Sequence, residues 1–138
     1  MSAIREQAEQ FCAACDSGMG WEGCKEFCHP DATFSVQAAA LADVVTVEAY
    51  SEWVKGLLTP IPDSRAEVKC MAVDEENSKV SMFAVFHGTH TGDGGPVSAT
   101  GKATASDYVY VMDFEDSRIR HVTKIWNDTV CLQELGWM

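Results

Sequence analysis

Between Ile4 and Cys15 the apolar residues Ile4, Ala8, Phe11, Cys12 and Cys15 recur at intervals of three and four, the spacing of one buried stripe on an amphipathic helix. Asp16-Ser-Gly-Met-Gly20 ends that pattern. Trp21, Cys24, Phe27 and Cys28 space a second, short helix over 21–28, stopped by His29-Pro30-Asp31, and an extended run starts over 32–36. Thr46 is placed as an N-cap with Glu48 in the first turn. Val47, Tyr50, Val54, Leu57 and Leu58 then follow at helical spacing, predicting a third helix over 47–58 that Pro60 and Pro62 close.

Beyond Ser64 the texture changes to β-branched and aromatic residues, and four long strands are predicted over 65–73, 79–91, 97–114 and 118–126. The short polar links Glu75–Ser78, Thr91–Pro96 and Glu115–Ser117 favour consecutive antiparallel hairpins over crossovers. A last helix is expected over 129–135. Helices gathered before an antiparallel meander predict an α+β fold, with one domain over 1–138 and the sheet wrapped over the helices.

Alternation along the strands nominates the side chains that break the apolar pattern. Asp107 shares parity with Ala103, Ala105, Val109 and Val111, while Tyr108, Tyr110, Met112 and Phe114 take the opposite face. If the bulky face meets the helices, Asp107 points outward; otherwise it enters a pocket. On the last strand Ile119, His121, Thr123, Ile125 and Asn127 form the set expected to face inward, which leaves Lys124 and Trp126 on the outer face. A histidine among apolar groups is the side chain easiest to use as acid or base near neutrality, so His121 is a candidate. Asp128 follows directly and can serve either as N-cap of the terminal helix or as a proton-shuttling carboxylate at a cavity mouth. His87 and His90 stand three apart on an extended segment and so face opposite ways, leaving only one of them for a pocket.

The chain has 138 residues, enough to bury a core without disulfides, and no apolar run long enough to span a bilayer. A formal charge of −11 repels phosphate backbones and anionic headgroups, so neither nucleic acid nor membrane is expected as a partner. The opening residues lack a secretory pattern, which leads to the expectation of a cytoplasmic protein. Cys12-x-x-Cys15 and Cys24-x-x-x-Cys28-His29 look like ligand pairs but coincide with the apolar stripes, so no metal is expected. No phosphate-cradling loop, dinucleotide fingerprint, His-Glu-x-x-His or nucleophile elbow occurs, and no cofactor is implied.

Several segments resemble the nuclear transport factor 2-like superfamily, particularly its SnoaL-type polyketide cyclases. They are Phe27-Cys-His-Pro-Asp31-Ala-Thr-Phe34, Gly88-Thr-His90-Thr-Gly92, Thr100-Gly101-Lys102 (where the family usually has Arg), Phe114–Ile119 and Leu132–Gly136. The resemblance covers nearly the whole chain and implies a cone-shaped fold around a pocket. In that family an aspartate near the start of the last helix acts as acid and base in an aldol closure, with a histidine assisting. Asp128 matches it, whereas a gapless match from the terminal Leu-Gly places Asn127 there. The expectation is a cofactor-independent cyclase- or isomerase-like enzyme for a small, largely apolar carbonyl compound, polyketide- or steroid-like. Asp128, His121 and Asp107 would be catalytic, and His87, His90, Asn127, Tyr108, Tyr50 and Trp53 would contact substrate. The alternative is a non-catalytic module that binds a small hydrophobic molecule or another subunit through the outer sheet face, and a homodimer through the sheet is expected in addition.

Overall fold

The computed structural model describes residues 3–138; Met1 and Ser2, part of the domain expected over 1–138, lie outside the described residues. The elements run α1 (Ala3–Asp16), α2 (Gly20–Cys24), a 3-10 turn (Lys25–Phe27), β1 (Cys28–Val36), a second 3-10 turn (Ala39–Leu41), α3 (Val47–Leu57), β2 (Arg65–Asp74), β3 (Lys79–Thr89), β4 (Ala103–Glu115), β5 (Arg118–Trp126) and α4 (Asp128–Leu135). The α+β class holds. The sheet is mixed, in the order β1-β5-β4-β3-β2, with β1 parallel to β5 and every other pair antiparallel.

The local chemistry explains most boundaries. The apolar stripe of α1 buries Ala8, Phe11, Cys12 and Cys15, and the Thr46 hydroxyl accepts from the Ala49 amide at 3.1 Å to start α3. Pro30 lies in β1, an edge strand, where a missing amide hydrogen is tolerated. Asp116 and Ser117, the two residues between β4 and β5, both have positive φ (53° and 63°), as a two-residue turn of the primed type requires. The predicted start of β4 at Val97 is corrected to Ala103. The preceding loop carries Gly95-Pro96 and a left-handed Gly101 (φ 72°), which do not continue a ladder.

β5 contains the feature that positions the site. Asp113 pairs with His121 and Phe114 pairs with Ile119, so Arg120 is an extra residue on β5. Such a bulge reverses the side-chain parity beyond it. Ile119 faces the core, and so do Val122, Lys124 and Trp126, while His121, Thr123 and Ile125 turn to the outer face. Strict alternation from Ile119 assigns these last residues to the wrong sides.

The inner face of β3, β4 and β5 supplies Met82, Ala84, Tyr108, Tyr110, Met112 and Val122 to a core closed by α1 and α3. At one end α4 covers the sheet. Gly136 ends that helix in the left-handed conformation (φ 76°), with the Trp137 amide donating to the Leu132 carbonyl at 2.8 Å, and this Schellman-type turn folds Trp137 back beside the helix.

Candidate active site

A cavity of about 240 Å³ lies between α3, the inner face of the sheet and α4. That volume is just below the roughly 300–1,000 Å³ usual for small-molecule sites, which suits a compact ligand. Its wall is mostly aromatic and aliphatic: Trp53, Val54 and Leu57 from α3, Phe86 from β3, Trp126 from β5, Leu135 from α4, and Trp137 from the turned-back tail. Four polar side chains on α3, β4 and β5, with Asp16 at the end of α1, interrupt this oily surface.

They form one hydrogen-bonded chain. The Lys124 ammonium donates to the Tyr50 hydroxyl at 2.9 Å, the Tyr50 and Tyr110 hydroxyls are 2.6 Å apart, and Tyr110 donates to Asp16 Oδ1 at 2.7 Å. Tyr108 donates to the other carboxylate oxygen, Oδ2, at 2.6 Å. Because each hydroxyl has a single hydrogen, the direction is fixed. Tyr110 spends its hydrogen on Asp16, so Tyr50 donates to Tyr110 and its own oxygen accepts from Lys124. A lysine and a carboxylate are thus connected through two tyrosines.

Desolvation dominates the electrostatics. Burial lowers the Lys124 pKa from 10.5 to about 8, against an opposing pull from Asp16. Burial likewise raises Asp16 above the usual carboxylate value, while the tyrosine hydrogen bonds and Lys124 hold it back. Both shifts favour the same exchange, in which a proton moves along the two tyrosines and leaves a neutral amine and a neutral carboxyl. Tyr50, Tyr108 and Tyr110 are pushed well above the ordinary phenol value by burial, so they pass or donate protons and do not act as bases. The Lys124 nitrogen lies over the rings of Trp126 (4.2 Å to the centroid), Tyr50 (5.0 Å), Tyr108 (5.2 Å) and Trp53 (5.5 Å), and these faces compensate part of its lost hydration when it is charged.

Of the residues nominated from sequence, Tyr50, Trp53 and Tyr108 do line the cavity. The three nominated as catalytic do not. Asp107 is exposed on the outer face, as expected once Tyr108 and Tyr110 pack inward. His121 is also on the outer face, where the Arg120 bulge directs it. There Nδ1 meets the Thr33 hydroxyl at 2.7 Å and Nε2 the Ser35 hydroxyl at 2.9 Å. Asp128 is buried, but its carboxylate accepts from the Ala40 amide at 2.9 Å and ties the 3-10 turn to α4.

The cap of α4 is the exposed Asn127, whose side chain accepts from the Val130 amide at 3.4 Å, so Asn127 does not turn inward. His87 pairs with Glu67 at 2.9 Å on the outer face. His90 is fully buried behind the cavity wall, its Nδ1 accepting from the Trp137 indole at 2.8 Å. His90 therefore braces a wall residue and does not line the cavity itself. Lys124 and Trp126, assigned by alternation to the outer face, are cavity residues.

Lys124, Tyr110 and Asp16 were not nominated. A usable signal did exist in two tyrosines, Tyr108 and Tyr110, on a strand face otherwise written for the core, because a buried phenol needs a partner for its hydroxyl. Among the described residues, no group of three or more His, Cys, Asp or Glu side chains is arranged to hold a metal ion, and no helix is long and apolar enough to cross a membrane.

A family model described as SnoaL-like polyketide cyclase matches residues 6–135. Similar solved structures include AclR, a candidate hydroxylase from Streptomyces galilaeus (21% identity, 98% of this chain and 85% of that one, TM-score 0.78). IdmH, a candidate polyketide cyclase from Streptomyces antibioticus, has 21% identity over 96% of this chain and 98% of that one, with TM-score 0.77. A candidate polyketide cyclase from Acidithiobacillus ferrooxidans has 22% identity over 98% and 95%, with TM-score 0.76. No curated protein matches the sequence. At these identities the structural likeness establishes the shared fold.

Proposed function

The chain belongs to the SnoaL-like polyketide cyclase family, and we propose that it is a cyclase- or isomerase-like enzyme performing acid–base chemistry on a compact, largely apolar carbonyl compound in the aromatic cavity. The observation that carries this reading is the buried chain Lys124–Tyr50–Tyr110–Asp16, a hydrogen-bonded set of ionisable groups at the cavity wall. Lys124 in its amine form removes a proton from the carbon next to the carbonyl. In its ammonium form it donates a hydrogen bond to the enolate oxygen that results. The tyrosines pass the displaced proton toward Asp16 or return it, and the dry aromatic wall strengthens every charge interaction within it. An enolate formed in this way either attacks a second carbonyl of the same molecule, closing a ring, or is reprotonated elsewhere, shifting a double bond.

The test uses 2-tetralone, a compact bicyclic ketone, incubated with the protein in D2O. Wild-type protein accelerates deuterium incorporation at its α-carbon, and Lys124→Met reduces that acceleration by about 10²–10⁴-fold, the usual contribution of a positioned acid or base. Equal exchange with and without protein overturns the reading. We also propose a homodimer through the outer sheet face, where Ile125 is exposed and Val109 and Val111 are half-buried; a monomer by light scattering at micromolar concentration contradicts that proposal.

A further inference from the structure

Lys124 differs from the other five lysines in that they are all exposed or half-exposed, whereas its amine is enclosed at the wall of the cavity. Among the described residues its one hydrogen-bond acceptor is the Tyr50 hydroxyl, and its surroundings are ring faces and cavity, with the Asp16 carboxylate and the Cys15 and Cys131 thiols nearby. Nothing in a proton-relay role alone requires an amine there; a carboxylate or histidine would serve. An amine adds the capacity to form a covalent bond to a carbonyl carbon.

We propose that Lys124 is a covalent nucleophile that forms an imine with an aldehyde or unhindered ketone bound in the cavity, so that the enolisation proposed above proceeds through an enamine. This rests on the reading of the cavity as a site for carbonyl compounds and specifies how the site engages them. The nitrogen lone pair forms a bond to the carbonyl carbon while the C=O π electrons move to oxygen. Oxygen takes up a proton and nitrogen loses one, giving a carbinolamine. The C–O bond then breaks, the hydroxyl leaves as water after a second protonation, and a protonated imine remains.

Tyr50, 2.9 Å from the nitrogen, is the group positioned to carry the proton from nitrogen. Behind it Tyr110 and Asp16 take up that proton or resupply one for the departure of water. With Lys124 now bound, the α-proton of the iminium passes through Tyr50 and Tyr110 to the Asp16 carboxylate, which gives the enamine without an enolate charge in the oily cavity, and hydrolysis later restores the amine and the carbonyl.

The aromatic surroundings suit both stages. The amine must be unprotonated to attack, and burial among rings favours this: at pH 8 about half of Lys124 is free amine, on the order of 100-fold more than an exposed lysine provides. The iminium formed afterwards is a cation in nearly the same place, where the Trp126, Tyr50, Tyr108 and Trp53 faces can compensate its charge. Carboxylic acids and hydrocarbons of the same shape cannot form such an adduct, so the ligand class narrows to aldehydes and ketones.

The experiment incubates wild-type protein with 2-tetralone at pH 8, adds sodium cyanoborohydride, and locates the reduced adduct by intact mass and peptide mapping. The expected result is one adduct per chain, on the peptide carrying Lys124, formed about 100-fold faster than on any exposed lysine and absent from Lys124→Arg. Mapping the wild type makes the result independent of whether the variant folds. Tyr50→Phe, which keeps the ring, slows adduct formation without moving it to another lysine.

An adduct confined to exposed lysines overturns the imine. So does the absence of any adduct while α-deuteration continues at the wild-type rate, an outcome that leaves acid–base catalysis by Lys124 standing. Absence of both adduct and deuteration overturns the imine and the proposed function together.

Discussion

On the outer face of the sheet, His121 of β5 is held between the hydroxyls of Thr33 and Ser35 on β1. On the inner face, three residues further along the same strand, Lys124 is held by Tyr50 and, through Tyr110, faces Asp16. Both are hydrogen-bonded clusters around a basic side chain, and both have good geometry. The difference is water. The outer cluster is partly exposed and loses little by being solvated. The inner cluster holds an ammonium and a carboxylate out of bulk solvent, which is expensive for the fold and is the condition under which proton positions become useful. Hydrogen-bond geometry alone does not separate the two clusters; desolvation beside an enclosed volume does.

The largest effect that sharpens this contrast is catalytic. Lys124→Met lowers α-carbon deuteration of 2-tetralone by about 10²–10⁴-fold, equivalent to roughly 3–5 kcal/mol of barrier, whereas His121→Ala leaves the rate unchanged. Equal losses in the two variants would break the comparison.

The next effect is on stability against pH. Lys124 binds its proton with a pKa of about 8 in the folded chain and 10.5 as its ordinary value, so between those limits the unfolded chain holds a proton that the native one has released. Stability therefore rises with pH across this window. The total is about 3 kcal/mol, a penalty fully present below pH 8 and gone above 10.5. Urea unfolding at pH 7.5 and 10.5 measures it, and Lys124→Met lacks the rise. Asp16 works at the other end of the scale. Its pKa is raised on folding, so the stability it contributes is present in acid and is lost as pH climbs through its folded value.

Asp16→Asn tests the coupling between the two ends of the chain. Removing the carboxylate charge removes the pull that keeps the Lys124 pKa up, so the rising limb of the deuteration pH profile moves to lower pH. With the relay interrupted, the maximum rate falls by about tenfold. A profile that keeps both its position and its height would show that Asp16 only braces the tyrosines. The smallest effect belongs to the outer cluster. His121→Ala changes unfolding free energy by no more than about 0.5 kcal/mol, as for a surface substitution, and calorimetry checks it.

The sequence made the architecture legible because its signals are local. The stripe of α1, the Thr46 cap and the turn at Asp116-Ser117 each declare themselves within a few residues. The site did not declare itself, for two physical reasons. The bulge at Arg120 reverses β5 by one residue, and no property of Arg118-Ile-Arg120-His121 requires it; the register against Asp113 and Phe114 shows it. Asp16 looks like the polar end of a helix, and its role comes from Tyr108 and Tyr110, 92 and 94 residues away. Tyr50 and Tyr108 were recognisable because their faces follow from helix and strand periods that no bulge interrupts, and Trp53 lines the same cavity three residues after Tyr50 on α3. The strand-to-helix junction at Asn127-Asp128 attracted attention through its polar groups, yet both carbonyl-bearing side chains are occupied with backbone amides.

In both proposals Lys124 is a desolvated amine at the cavity wall, linked to Asp16 through two tyrosine hydroxyls, an arrangement open to measurement. Its most direct test is a pH titration of the Lys124 side-chain nitrogen by NMR in 15N-labelled protein, assigned by its loss in Lys124→Met. The expected midpoint is near 8 in the wild type and lower in Asp16→Asn. A midpoint at the ordinary 10.5, unmoved by Asp16→Asn, would place the amine in water and rule out its coupling to Asp16.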